Sequence, residues 1–246
     1  MLIYELLEIK EKDIVSIVGA GGKTTLMFLL ANELERFGKV LVTTTTKIYR
    51  PNENEVKYLA LGKEGYEFIR NNNDDGIYVY GKYINEENKL VAPDMESISY
   101  IKNDFKYILI EADGSKKKCL KAWNTYEPVI LNDTSKTIGI LSLKAIGMKI
   151  NEENIHRLKE FIDLTNSNID EEVNLDILIK TIFNDDGLFK NSMGEKILFL
   201  NAADLVDEDT MLLLINKIIN ENKEVRLLSK IIYGSLKDLS LKCIKL

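Results

Sequence analysis

The stretch Val18-Gly19-Ala20-Gly21-Gly22-Lys23-Thr24-Thr25-Leu26 constrains the fold of this chain more than any other. An apolar run, Ile14-Val15-Ser16-Ile17-Val18, leads into it, and an amphipathic segment, Leu26 to Phe37, leaves it. The order is strand, glycine loop, helix. Glycines let backbone N–H groups curl around an anion with no Cβ in the way. A helix N-terminus adds unpaired donors and a positive partial charge. Lys23 can reach terminal phosphates, and the Thr24 hydroxyl suits Mg²⁺. Gly19, Ala20, Gly21, Gly22, Lys23, Thr24 and Thr25 are therefore the expected nucleotide-binding residues. A plain glycine turn has no need of Lys-Thr-Thr at the helix start. The loop is short, however: the usual pattern has Gly six residues before the Lys, a place held here by Ile17, and Gly19 stands only four before Lys23.

The 246 residues can bury a full core, and one α/β domain is the expectation. Lys and Arg number 33 against 39 Asp and Glu, a net charge of −6, which argues against a nucleic-acid partner. Lys116-Lys117-Lys118 reads as a solvated loop unless it lies beside the nucleotide. Two cysteines, Cys119 and Cys243, form neither a disulfide framework nor a metal signature, which fits a reducing cytoplasm. Met1-Leu2-Ile3-Tyr4-Glu5 carries no basic signal-peptide start, and no apolar run is long enough to span a membrane.

Along the chain, Lys39 to Thr43 reads as a second strand, followed by Thr44, Thr45 and Thr46. These hydroxyls mark either a polar strand end or a row facing a ligand at the sheet's carboxyl edge. Residues 50 to 95 read as a small β-containing insertion on the sheet's edge, with Ile77–Tyr80 and Lys89–Val91 as a hairpin. Lys106 to Ile110 is apolar without alternation, the mark of a buried parallel strand. It ends at Glu111-Ala112-Asp113-Gly114, where phosphate-loop enzymes hold Mg²⁺ or position water. Either Glu111 or Asp113 could meet the metal. Thr137 to Leu143 is a further strand, then helices at about Glu152–Leu164 and Glu171–Phe183, the first containing the only histidine, His156. Lys196 to Leu200 is another core strand, ending at Asn201-Ala202-Ala203-Asp204. This element resembles the Asn-Lys-x-Asp base reader of GTPases, with Ala202 in place of the Lys, and it marks Asn201 and Asp204 as base-side candidates. A helix at Asp207–Asn220 and a strand at Val225–Leu228 complete a doubly wound, mainly parallel sheet of the P-loop NTPase type.

Gly-Ala-Gly-Gly-Lys-Thr-Thr, Val-Thr-Thr-Thr-Thr-Lys-Ile, Ile-Glu-Ala-Asp-Gly-Ser-Lys and Tyr-Glu-Pro-Val-Ile together resemble the YqeC-type family over roughly residues 10 to 230. Proteins of that family are described as accessory factors for selenium-dependent molybdenum hydroxylases. Ile155-His156-Arg157 resembles a His-Arg that the family carries there. The chain departs from the family at Tyr126, where the pattern reads His-Glu-Pro, and along Lys117 to Trp123. The resemblance implies an NTP-dependent factor and a partner that is a molybdenum hydroxylase or its cofactor-insertion machinery.

Three functions are consistent with these residues. In the first, ATP or GTP with Mg²⁺ is hydrolysed to switch a client-binding surface. Lys23 stabilises the phosphates, Thr24 with Glu111 or Asp113 holds Mg²⁺, and the remaining acid or Thr45 positions water. In the second, the short loop, similar in form to that of the Mur-ligase group, serves an ATP-dependent ligase or small-molecule kinase. The third is a nucleotide-dependent binding module without turnover.

Overall fold

The computed structural model describes residues 2–52 and 56–246; Met1 and residues 53–55 of the expected insertion lie outside the described residues. The chain divides into two compact units. The first comprises Met1–Ile17, Thr24–Gly114 and Val129–Lys136, and the second Val18–Lys23, Ser115–Pro128 and Thr137–Leu246.

The first unit begins with the short helix α1 (Ile3–Leu6), whose amides at Ile3 and Tyr4 donate to the two carboxylate oxygens of Glu33. Strand β1 (Ile14–Gly19) enters here and its last two residues belong to the second unit. Helix α2 (Lys23–Leu34) and a 3₁₀ turn at Glu35–Phe37 follow. This helix is less one-sided than its sequence suggests. Leu26, Met27, Phe28, Leu30, Ala31 and Leu34 are all buried, so only a narrow strip containing Thr25 and Asn32 stays exposed.

Then come β2 (Lys39–Thr44), β3 (Lys47–Tyr49), β4 (Tyr58–Leu61), α3 (Gly62–Asn71), β5 (Gly76–Gly81), β6 (Lys89–Val91), α4 (Met95–Ile101) and β7 (Tyr107–Glu111). The strand order is β1-β7-β2-β5-β4, and every neighbouring pair is parallel. Strands β1, β2, β5 and β7 are buried along their whole lengths, as parallel strands covered on both faces must be. Leu41, Tyr78, Ile98, Ile101, Phe105, Ile108 and Ile110 form the centre of this unit's core.

The 50–95 segment differs from expectation. Ile77–Tyr80 pairs with β2 and β4 inside the main sheet instead of forming a hairpin with Lys89–Val91. The latter, as β6, pairs antiparallel with β3. Burial explains the difference: alternate residues of a free hairpin face water, whereas all of Gly76–Gly81 is buried. A turn at Asn85–Asn88 does reverse the chain, with the Asn88 amide donating to the Asn85 carbonyl at 3.0 Å.

The second unit contains β8 (Leu120–Lys121), β9 (Lys136–Ser142, from Thr137 onward), β10 (Ile155–His156), α5 (Leu158–Thr165), α6 (Leu175–Phe183), β11 (Glu195–Asn201), α7 (Glu208–Val225), β12 (Lys230–Ser235) and β13 (Ser240–Lys245). The order is β9-β11-β12-β13, with β11 and β12 parallel and β13 antiparallel at the end. The chain is thus α/β with mostly parallel strands.

Three expected elements shift here. His156 lies in β10, not in a helix. The Asn151 side chain accepts from the amides of Glu153 and Asn154, forming a turn that competes with helix, and Arg157 is left-handed (φ 64), so α5 starts only at Leu158. The next helix starts at Leu175, not Glu171, because Asn174 caps it by accepting from the Ile177 amide at 3.0 Å. Val225–Leu228 is not a strand: α7 runs on to Val225, Arg226 ends it in the left-handed region, and Asn222 bonds both the amide and the carbonyl of Leu228. The closing strands are β12 and β13. No helix among the described residues is long and apolar enough to cross a membrane.

Candidate functional site

In the second unit, β1 ends at Gly19 with φ 101, and a Cβ there would stand 2.1 Å from the Ile140 carbonyl oxygen. Gly21, at φ 83, comes so close to Ser142 that a Cβ would lie 2.3 Å from that residue's own Cβ. These two glycines are required by the close approach of the loop to β9, as well as by its positive-φ turns. The Ala20 amide donates to the Ile140 carbonyl at 3.0 Å. Lys23 is 3% exposed, and its ammonium donates to the Gly19 carbonyl at 2.6 Å, closing the loop into a ring. Asn201, the last residue of β11, donates from Nδ2 to the Gly21 carbonyl at 2.7 Å. Its Oδ1 accepts from the Leu236 amide at 3.1 Å. Asp204 is exposed, in a 3₁₀ turn at Ala203–Leu205 that follows a left-handed Ala202.

In the first unit, parallel pairing sets Ile17 of β1 opposite Glu111 of β7. Thr24, in the first turn of α2, donates its hydroxyl to Glu111 Oε2 at 2.6 Å. The Glu111 carbonyl accepts from the Thr44 hydroxyl at 2.8 Å and the Thr45 amide at 3.2 Å. Thr45 commits its own hydroxyl to the Val129 carbonyl at 2.8 Å. Asp113 is fully buried, and Thr25 is exposed. The threonine run therefore grips the end of β7 and fixes the backbone that carries Glu111.

These residues offer hard oxygen donors, a hydroxyl and a carboxylate already in contact. No group of three or more His, Cys, Asp or Glu side chains able to hold a metal occurs among the described residues. That sparse set fits Mg²⁺, which is usually held by one or two carboxylates and keeps its other positions for water and phosphate oxygens; Thr24 and Glu111 are the residues that would hold it.

Two features escaped sequence reasoning. Ser142 touches Gly21, and Lys121, Glu127 and Arg157 converge although no spacing links them; a two-residue strand pair brings the last group together and leaves no periodic signal.

The molecule is an α/β chain with a lysine-closed glycine loop at the head of a helix, whose first turn is bonded to a strand-end carboxylate. Residues 15–159, more than half of the chain, match the family model described as YqeC protein. The chain is also 31% identical over 193 residues to the Escherichia coli (strain K12) protein "Uncharacterized protein YqeC", covering 77% of this chain and 75% of that one. This chain belongs to the YqeC family. No solved structure matches it.

Proposed function

We propose that this protein binds and hydrolyses a nucleoside triphosphate with Mg²⁺ at Gly19–Thr25, as a P-loop-type factor that assists maturation of a molybdenum hydroxylase. The observation that carries the nucleotide reading is the 2.6 Å bond from the Thr24 hydroxyl to Glu111. It joins the first helical turn after a glycine loop to the acid at the end of the adjacent parallel strand, the two groups that share a metal in phosphate-loop enzymes. The client part rests on the family resemblance alone.

Thr24 and Glu111 would hold Mg²⁺, which would supply positive charge against the phosphates. Lys23 adds positive charge as negative charge moves onto the leaving nucleoside diphosphate. A water oxygen bonds to the γ-phosphorus while the bond to the β–γ bridging oxygen breaks, giving the nucleoside diphosphate and inorganic phosphate. In this reading Asp113, two residues beyond Glu111, takes the water's proton, and Asn201 holds the loop backbone in place through Gly21.

A second reading is an acceptor-dependent ligase or kinase. It is favoured by the short loop, in which the Ala20 amide is already committed to Ile140.

The test is binding and steady-state phosphate release with ATP and GTP, with and without Mg²⁺, on the wild type, Lys23→Ala and Glu111→Gln. Removing one charge-assisted phosphate contact costs about 1.5–3 kcal/mol, so Lys23→Ala should bind roughly ten- to a hundredfold more weakly. Glu111→Gln should weaken binding only when Mg²⁺ is present. Equal behaviour of Lys23→Ala and wild type refutes the site. ADP formed only when a small acceptor is added favours the second reading.

A further inference from the structure

The first unit holds a cleft that the nucleotide reading does not use. Its volume is about 470 Å³, within the range of small-molecule sites. Gly62 follows the last residue of β4, and Tyr80 and Lys82 lie at the end of β5, so the cleft stands at the carboxyl ends of two parallel strands. Thr44 and Glu111 end β2 and β7 at that same edge of the sheet. Ligands of open α/β sheets bind along this edge. Helix α3 forms one wall and lies so close to β4 that a Cβ on Gly65 would stand 2.5 Å from the Ala60 carbonyl carbon. Pro93, Asp94 and the first residues of α4 form the other wall, which Lys82 ties to β5 by an ion pair of 3.0 Å to Asp94.

Three tyrosines line the cleft: Tyr66, Tyr80 and Tyr100. Tyr80 is 3% exposed, and Thr43 fixes its backbone by donating to its carbonyl at 2.8 Å. A buried tyrosine hydroxyl ordinarily finds a hydrogen-bond partner; that of Tyr80 has none among the described residues. Charged side chains surround the rings. Lys63 and Lys82 are matched by Glu67 at 3.9 Å and Asp94 at 3.0 Å. Arg70, which donates to the Tyr100 carbonyl, is paired with Asp104. Glu96 also lines the cleft and has no cationic partner among the described residues. Two lysines against three carboxylates leave the lining with a charge of −1.

We infer that this cleft binds a small organic cation, an amine or quaternary ammonium compound with an apolar body. Tyrosine ring faces attract a cation within about 6 Å of the ring centre, and the Glu96 carboxylate supplies the counter-charge. The Tyr80 hydroxyl offers a polar group on the ligand the hydrogen bond that it does not make within the protein. An anion would meet lysines already matched by Glu67 and Asp94, together with the unmatched Glu96, so the same lining disfavours phosphates and carboxylates. The site uses residues 62–100 and none of the glycine loop, so it stands or falls apart from the nucleotide reading.

Choline is titrated into the full chain at pH 7 and fixed ionic strength, followed by calorimetry and by saturation-transfer NMR of its methyl signal. Tetramethylammonium, which has no hydroxyl, and 3,3-dimethylbutan-1-ol, the uncharged isostere of choline, are titrated alongside. The expected result is saturable binding of both cations, with choline bound about tenfold or more tightly than the alcohol. Tyr100 and Glu96 are exposed, so replacing them spares the fold; Tyr100→Ala and Glu96→Gln should each weaken choline severalfold. Tyr80→Phe keeps the ring and loses the hydroxyl, and should weaken choline while leaving tetramethylammonium unchanged. Lys23→Ala should leave every titration as it is in the wild type. Absence of saturable binding by both cations overturns the proposal, as does binding of the alcohol as tight as that of choline. Choline binding that neither Tyr100→Ala nor Glu96→Gln alters, or that Lys23→Ala abolishes, overturns it equally.

Discussion

Asn201 holds two backbones with one amide, and replacing it separates bracing from charge at the loop. Nδ2 donates to the Gly21 carbonyl at 2.7 Å, and Oδ1 accepts from the Leu236 amide at 3.1 Å. Asn201→Ala removes both bonds. Each is worth about 0.5–1.5 kcal/mol net, so the pair contributes roughly 1–3 kcal/mol. Leu236 is 5% exposed, so little water reaches its orphaned amide, and the loss should fall in the upper part, about 2–3 kcal/mol. For a chain of this size that corresponds to a fall in Tm of about 4–12 °C. Asn201→Asp behaves differently. Its carboxylate still accepts from Leu236 but faces the Gly21 carbonyl with no proton to give, and it sets a negative charge beside the loop. Its Tm should drop about as far as that of Asn201→Ala, while its triphosphate affinity falls further. Thermal melting monitored by circular dichroism, with fluorescent-nucleotide titration at fixed ionic strength, reads both quantities. The reasoning is refuted if Asn201→Ala melts with the wild type, or if Asn201→Asp binds triphosphate as tightly as Asn201→Ala.

Other consequences are as direct. Gly19→Ala forces a Cβ to 2.1 Å from the Ile140 carbonyl at φ 101, whereas Gly114→Ala meets nothing within 4 Å; melting should show a large loss for the first and almost none for the second. Asp204→Asn should weaken GTP and leave ATP unchanged if this exposed turn reads the base, and equal effects on both nucleotides remove Asp204 from that role. His156 titrates at about 4 when folded, below the ordinary 6.5, so between those values the unfolded chain binds more protons. Stability therefore rises with pH across that window and falls as the solution is acidified through it. His156→Asn should lose less stability than wild type between pH 7 and pH 4.5, read as urea midpoints; parallel losses would contradict the shift.

What could be read from the sequence follows the range of the interactions responsible. Ile108, Leu109 and Ile110 announce a buried strand because both faces of β7 are covered, and the mark of that burial is their own composition. The glycine loop is legible for the same reason: its chemistry is contained in neighbours, with Lys23 closing on Gly19 four residues back. Where one side chain diverts the backbone, local pattern misleads. Residues 152–164 read as helix, yet the Asn151 turn and the left-handed Arg157 stop a helix from starting before Leu158. Val225–Leu228 is apolar enough for a strand, yet Asn222 claims both backbone groups of Leu228.

The long-range parts of the site fall into two cases. Thr24 and Glu111 can be named from the sequence because one lies in the first turn of a helix and the other ends a strand, and the parallel register of β1 on β7 then brings them into contact. Lys121, Glu127 and Arg157 were each visible but not as a group, because the pairing of β8 with β10 is two residues long and leaves no period in the sequence. Sites assembled by regular elements are open to motif reading; sites assembled by short bridges between loops need coordinates. The lysine run follows the same division: Lys116 and Lys117 are exposed, as a solvated run implies, whereas Lys118 is spent on the carbonyls of Glu152 and Ile155. That bond ties the loop to β10, and Lys116 bears on His156.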